Sequence, residues 1–357
     1  MKELRTGFTT GLCAAAAAKA ATITLLSFNP VKQVEISAKS GALIQFEVTD
    51  FTQENGLIRC AVQKDAGDDP DITSGVKIFA AVSKTDLAGI EVEGGDGIGR
   101  VTKPGLQVPV GQAAINPIPM KMITSAIKEI CVQFHYTGGI KVVISIPNGA
   151  EIAKNTMNER LGVVGGLSIL GTTGIVEPMS DRAVIETIKA QIDVQEASGR
   201  NNLIITPGNY GRDFAEKTLG FNMEEAVKCS NFIGETLDYV CKKGIEHVML
   251  IGHAGKWVKL AGGIMNTHSG IADCRMEIIA AHCALLGAET ETIRKIMECV
   301  TVEAAILILN QRGINDSVWE SIGQKIKMYL RDKTQGAVRI EYIIFTQEHG
   351  VLIHGEA

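Results

Sequence analysis

Excess positive charge is the first thing this sequence lacks. Its 357 residues carry 35 Lys and Arg against 40 Asp and Glu, a formal net charge of −5. A surface that neutralises a phosphate backbone needs a basic stripe, so nucleic acid is not an expected partner. A polyanionic ligand would have to meet locally concentrated cations. Paired cysteines are missing as well. Cys13, Cys60, Cys131, Cys229, Cys241, Cys274, Cys283 and Cys299 include no C-x-x-C. That argues against a disulfide framework and suggests a reducing cytosol. No stretch reaches the roughly 18 apolar residues of a bilayer span, so no membrane association is expected. Lys2 and Arg5 ahead of an Ala-rich run imitate a signal peptide. Lys19 interrupts that run and its core is alanine, so a helix N-terminus reads better, and the expected location is the cytoplasm. No H-E-x-x-H or Cys/His ligand spacing accompanies the histidines, and no metal site is expected. A P-loop is absent too, which disfavours nucleotide hydrolysis.

The chain is long for one ordinary core, so two domains are expected. Hydrophobic residues make up 45% and charged residues 21%, as in packed globular proteins. The first half reads as mixed α and β. An Ala-rich helix spans 13–26, extended segments follow at 34–37 and 44–48, and Asn116 and Pro117 open a helix ahead of a strand at 140–146. From about Ser180 helices alternate with strands at 203–206 and 247–251, each strand running into a glycine loop, the pattern of a parallel sheet with crossover helices. Residues 338–346 and 351–353 read as a terminal β-hairpin. An antiparallel hairpin suits the first half better. The expected division is therefore residues 1–195 plus 335–357 as a mixed α+β domain, with an α/β domain inserted at 196–334.

The densest motif runs from Ile251 to His282, where histidines, lysines, an arginine, an acid pair and glycines interleave behind an apolar run. Glycine lets a backbone approach a ligand, and Lys or Arg beside it supplies charge for an anion. T-P-G-N-Y-G at 206–211 and G-H-A-G-K at 252–256 sit at the C-terminal ends of expected parallel strands, where ligands collect in open α/β sheets. Thr206, Gly208, Asn209, Gly211, Gly252, His253, Gly255 and Lys256 are thus the cofactor candidates. T-G-F-T-T-G at 6–11, with Arg5, Thr9 and Thr10, is an anion-site candidate, although ordinary helix capping by threonine is the stronger reading of an isolated motif. G-D-G-I-G-R at 95–100 fails the dinucleotide fingerprint because Arg100 stands where glycine is needed, leaving a flexible loop. Prolines 104, 109, 117 and 119 stiffen the region that carries Lys103, which either faces a cleft or is simply solvated. The glycines of 161–180 fit either a ligand or tight sheet packing. His282 reads as packing, whereas His268 and Asp273 flank a glycine turn and are candidates for proton transfer.

T-G-F-T-T-G-L-C-A-A-A-A-A-K-A-A, D-A-G-D-D-P-D-I-T, V-T-K-P-G-L, A-I-N-P-I-P, G-G-L-S-I-L-G-T-T-G-I-V-E-P-M-S, T-P-G-N-Y-G and G-H-A-G-K-W-V-K-L-A-G-G-I-M-N-T-H-S occur in one order across residues 5 to about 280. In this the chain resembles the cobalt-precorrin-5B C1-methyltransferases of anaerobic cobalamin biosynthesis. One departure is Gly270, where the family commonly has a larger residue. The resemblance implies S-adenosyl-L-methionine as methyl donor, a cobalt-bearing ring-contracted tetrapyrrole as acceptor, and a two-domain fold with one Rossmann-like three-layer α/β domain. It assigns no catalytic residue. The acceptor's acetate and propionate arms call for cations, so Arg5, Lys103, Lys259 and Arg275, with Thr9 and Thr10, are the substrate-binding candidates, arranged across a domain cleft. A tetrapyrrole carrier and a nicotinamide-dependent reductase are the alternatives. Oligomeric state is open, a homodimer included.

Overall fold

The computed structural model describes residues 4–39 and 41–357, with Tyr210 described by its backbone alone; Lys2 lies outside them. The chain divides into two compact units at Ser180/Asp181.

The first unit is organised around helix α1 (Thr10–Ser27). Alanine has the highest helix propensity and the smallest side chain beyond glycine, so an alanine run forms a helix that neighbours can approach closely on every side. Leu12 through Ala18, Ala20 and Ala21 are all fully buried. Thr9 caps the start by accepting the Leu12 N–H at 3.3 Å, and Phe28 ends the helix in the left-handed region with φ 59°. Contrary to the sequence expectation, α1 does reach the length and mean hydropathy (1.3) of a membrane span, yet 78% of that window is buried by the protein's own chain. It is a core helix.

Around α1 stand β1 (Asp50–Glu54), β2 (Leu57–Gln63), β3 (Lys77–Thr85), β4 (Ile90–Gly94), helix α2 (Pro117–Gln133) and β5 (Gly139–Ser145). The sheet order is β1-β2-β3-β5-β4, antiparallel except for the β4–β5 pair, which α2 connects as a β-α-β crossover. Alternation along β3 and β5 sends Ile78, Ala80, Val82, Ile140, Val142 and Ile144 into one core with α1. Smaller pairings join Gly7–Phe8 to Ile175–Val176, Arg100–Val101 to Val163–Val164, and Gln33–Ser37 to Leu43–Glu47.

The second unit opens with α3 (Asp181–Ala197) and continues through β6 (Asn202–Thr206), α4 (Asn209–Lys217), β7 (Val227–Lys228), α5 (Ile233–Lys243) and β8 (His247–His253). After the short helix α6 (Ala254–Trp257) come α7 (Arg275–Leu285), α8 (Thr290–Met297), α9 (Val302–Gln311) and α10 (Asn315–Thr334), then β9 (Arg339–Thr346) and β10 (Gly350–Glu356). Its sheet runs β7-β6-β8-β9-β10, with β10 antiparallel and the other four parallel.

This corrects the expected domain division. The terminal hairpin does not return to the first unit, because β9 pairs in parallel with β8 along its whole length, from His247↔Arg339 to His253↔Phe345. Ile340, Tyr342 and Ile344 of β9 share a core with Val248, Leu250, Trp257 and Trp319. Residues 181–195 and 335–357 therefore belong with 196–334, and nothing is inserted. A hairpin's first strand has a second edge, and here a parallel neighbour occupies it.

The chain leaves β6 to build β7 on one side, then crosses back to build β8 on the other. Where strand order reverses in this way, the two loops at the carboxyl ends of the central strands part and open a crevice. Those loops are T-P-G-N-Y-G after β6 and G-H-A-G-K after β8.

Candidate functional site

In the first unit, most of the expected ligand contacts are turned to internal use. Thr9 and Thr10 are buried. The Thr10 hydroxyl accepts the Leu170 N–H at 2.9 Å and lies 3.3 Å from the Ser168 and Leu170 carbonyls, tying α1 to the 168–176 segment. Their geometry is that of caps and ties. Arg5 is exposed but already forks onto Asp65, with Nη2 at 2.9 Å from Oδ1, while its backbone N–H meets Asp68 at 2.7 Å. Lys103 lies along Gly162 and donates to the Arg160 carbonyl at 3.4 Å. The G-D-G-I-G-R segment is not a flexible loop. The Gly97 carbonyl accepts the Leu167 N–H at 2.9 Å, and the Asp96 carbonyl accepts the Ile146 N–H at 2.9 Å.

The D-A-G-D-D-P-D-I-T stretch holds a buried ion pair. Lys64, 2% exposed, donates to Asp71 Oδ2 at 2.6 Å, and Asp71 Oδ1 accepts the Thr73 N–H at 2.7 Å and its hydroxyl at 2.6 Å. Burial pushes the Asp71 carboxyl up, but Lys64 and both Thr73 donors together hold it below the usual aspartate value. A depressed carboxylate contributes stability that is present above the unfolded value, about pH 4, and is lost as pH falls through the folded value. The first unit should accordingly lose stability in acid. Denaturant titrations of the protein between pH 7 and 3 should show this, and Asp71→Asn should flatten the acid limb; an unchanged slope would remove Asp71 as its source.

In the second unit the expected cofactor residues do come together. Thr206, Gly208, Asn209 and Gly211 close the end of β6, and Gly252, His253, Gly255 and Lys256 close the end of β8. Thr206 Oγ1 accepts the Gly208 N–H at 3.2 Å and donates to the Gly208 carbonyl at 2.8 Å. Three of the four glycines serve packing rather than ligand approach. A Cβ on Gly211 would stand 2.7 Å from Thr206 Oγ1, on Gly252 2.4 Å from the Trp257 ring, and on Gly255 3.2 Å from His253 Nδ1. Of the four, Gly208 alone has nothing among the described residues within 4 Å of such a Cβ.

His253 Nδ1 accepts the Gly255 N–H at 3.1 Å, capping α6, and its Nε2 lies 3.2 Å from Glu303. The ring also meets Phe345 edge-on at 5.7 Å. Both nitrogens are engaged, so His253 shapes the loop. Lys256 is half-buried and donates to Asn231 Oδ1 at 2.8 Å. Burial, with Lys259 and Lys228 nearby, holds its ammonium below the usual lysine value. Lys259 is almost wholly buried and donates to the Thr267 and Ala272 carbonyls at 3.2 and 2.8 Å. It ties down the N-T-H-S turn instead of reaching a ligand. His268 is exposed and accepts the Gly270 N–H at 3.1 Å. Arg275 chelates Asp273 through Nε at 2.5 Å and Nη2 at 2.8 Å and holds its carboxyl below the usual range, so Asp273 is a weak base.

Sequence reasoning missed Lys228, Asn231 and Glu303. Lys228 ends a strand of only two residues, too short to show a period, Asn231 follows three residues later, and Glu303 enters from α9, fifty residues beyond His253. Among the described residues no cluster of three or more His, Cys, Asp or Glu could hold a metal ion.

The family model described as CbiD matches residues 1–178, and the one described as CbiD, C-terminal domain, matches residues 266–356. A protein of Ruminiclostridium cellulolyticum is 50% identical over 345 residues, 97% of this chain and 90% of its own length. This chain belongs to the CbiD family. That CbiD relative is named cobalt-precorrin-5B C(1)-methyltransferase, as is one from Alkaliphilus metalliredigens, 42% identical over 99% of this chain and 93% of its own. A solved structure titled cobalamin biosynthesis protein (cbiD), from Archaeoglobus fulgidus, is 29% identical with a TM-score of 0.42, covering 76% of this chain and 84% of that one. The first CbiD match ends two residues short of the boundary between the units. Lys228, Asn231 and Lys256 lie between the two matched segments.

Proposed function

We propose that this chain methylates C1 of cobalt-precorrin-5B to give cobalt-precorrin-6A in anaerobic cobalamin biosynthesis, with S-adenosyl-L-methionine as the donor. The observation that carries this is the near-complete alignment with proteins of that name, at 50% and 42% identity. We read the second unit as a Rossmann-like layer whose strand-end crevice holds the donor. Among the described residues nothing crowds Gly208, and this with the cations Lys228 and Lys256 suits a ligand bearing a nucleoside and a carboxylate.

The donor supplies a sulfonium methyl group that leaves a neutral thioether behind. No acid is needed for that departure, so the protein's task is to hold an electron-rich carbon in line, about 3–3.5 Å from the methyl group. Side chains that fix acidic groups of the ligands do this work. If a ring proton must be removed, His268 is the better candidate, since Arg275 keeps Asp273 ionised and weakly basic. Asp273 then serves to orient Arg275. His268→Ala should lower turnover by about 100-fold or more if it is the base; an unchanged rate eliminates it.

Incubation of the purified chain with methyl-labelled S-adenosylmethionine and cobalt-precorrin-5B should place label in the corrin ring. Tight binding of the ring without label would mark a carrier, and saturable NAD(P)H binding a reductase.

A further inference from the structure

Two ammonium groups at the strand ends of the second unit are held by asparagine side-chain oxygens. Lys228 Nζ donates to Asn209 Oδ1 at 3.1 Å, and Lys256 Nζ donates to Asn231 Oδ1 at 2.8 Å. Among the described residues neither has a carboxylate within ion-pairing distance, in a chain with more acids than bases. Their placement sets them apart from ordinary surface lysines. Asn209 opens α4, whose first turn holds no acidic residue, so Lys228 is pinned at the positive end of a helix dipole. Lys256 is half-buried, with two further lysines contributing to its field. Lys228 is exposed and solvated, so the cost of an unneutralised charge falls on half-buried Lys256, and a bound anion would relieve it.

The backbone holds the two together. Lys228 is in register with Thr206 at the end of β6, and β6 is the neighbour of β8, which leads into Lys256. Two strand spacings separate the carriers, roughly 10 Å, which two extended lysine side chains can close from either side. Asn231, which holds Lys256, is three residues beyond Lys228. Between them Ser230 sits in the left-handed region with φ 54°, a strained conformation for a residue with a side chain. Strain of this kind persists where surrounding structure fixes a particular geometry.

We propose that Lys228 and Lys256, presented by Asn209 and Asn231, form a carboxylate-binding subsite at the ends of β6, β7 and β8. The subsite rests on the methyltransferase reading for the source of its ligand, which is either the amino-acid carboxylate of the donor or an acetate or propionate arm of the ring. Lys259 and Arg275 are outside it, since the first is bound to carbonyls and the second to Asp273.

The test is calorimetric titration of the full chain, and of its K228Q and K256Q variants, with S-adenosyl-L-homocysteine and separately with cobyrinic acid. Each substitution should weaken one probe by about 10–100-fold, the worth of a hydrogen bond to a charged group. The loss should shrink as salt rises, and K154Q in the first unit should lose nothing. Weakened S-adenosyl-L-homocysteine assigns the subsite to the donor, and weakened cobyrinic acid assigns it to the ring. Wild-type affinity for both probes in both variants overturns the proposal; Lys228 is exposed, so K228Q reports without disturbing the core. Should the wild type bind neither probe, the methyltransferase reading fails separately. The subsite is then judged by carbon-13 resonance of the Lys256 side chain, whose pKa should rise with added acetate; no rise overturns it.

Discussion

Gly97→Ala should destabilise the first unit by about 4 kcal/mol or more, a large fraction of the stability of an ordinary domain. Gly97 has φ +72°, where an L side chain adds roughly 1–2 kcal/mol. The larger part is contact. A Cβ there would stand 1.8 Å from the Ile146 carbonyl oxygen and 3.0 Å from the Gly149 nitrogen. The Gly97 carbonyl would in turn lie 2.3 Å from a Cβ on Gly149 and 2.4 Å from one on Gly166. Three backbone segments meet here without side chains between them, so the overlap can be relieved only by moving main chain. Gly111→Ala is the control, since φ is +87° but nothing lies within 4 Å, leaving only the backbone term. Urea unfolding of both variants should separate them by several kcal/mol. Equal midpoints would mean that the three segments do not pack as described.

Gly252→Ala should have the second largest effect, about 3 kcal/mol on the second unit together with loss of activity. The added methyl would lie 2.4–2.6 Å from three atoms of the Trp257 indole, which is fully buried and has no room to swing aside. Displacing Trp257 moves α6 and with it His253 and Lys256. The remedy identifies the cause. In the double variant Gly252→Ala, Trp257→Leu, the clash is gone and the coupling should be favourable by 1–3 kcal/mol, measured as a double-mutant cycle. Additive effects would place the damage elsewhere. Trp257 also carries a buried indole nitrogen with no hydrogen-bond partner among the described residues, so truncating it removes an unsatisfied donor along with the ring.

These two glycines also show what could be read from sequence and what could not. The elements were legible because their periods are local: the α1 helix, the 117–133 helix, the strands at 139–145 and 247–253, and the placing of both glycine loops at strand ends. Partner choice was not legible. Nothing within 338–346 says that its second edge meets β8, so the terminal hairpin was placed in the wrong unit. The meaning of glycine was half legible. A glycine-rich loop signals that something comes close, and for Gly97, Gly211 and Gly252 that something is the protein itself. Lysine behaved in the same way, with Lys259 turned inward on carbonyls while Lys228, in a stretch without any motif, stands beside Asn209 at the end of β6. Burial and partners decide which cation is free for a ligand, and both are properties of the assembled fold.

The alanine-built α1 has a consequence for synthesis of the chain. Its neighbours β2, β3 and α2 lie at residues 57–63, 77–85 and 117–133, all made after it. At typical translation rates the helix waits roughly 10 s for the last of these. A leucine helix left bare for that long would adhere to other nascent chains. Alanine forms the helix by its own propensity and offers little apolar area while it waits. Close packing and safe waiting are thus met by the same residue, and replacing several of these alanines with larger apolar residues should show first as aggregation during expression.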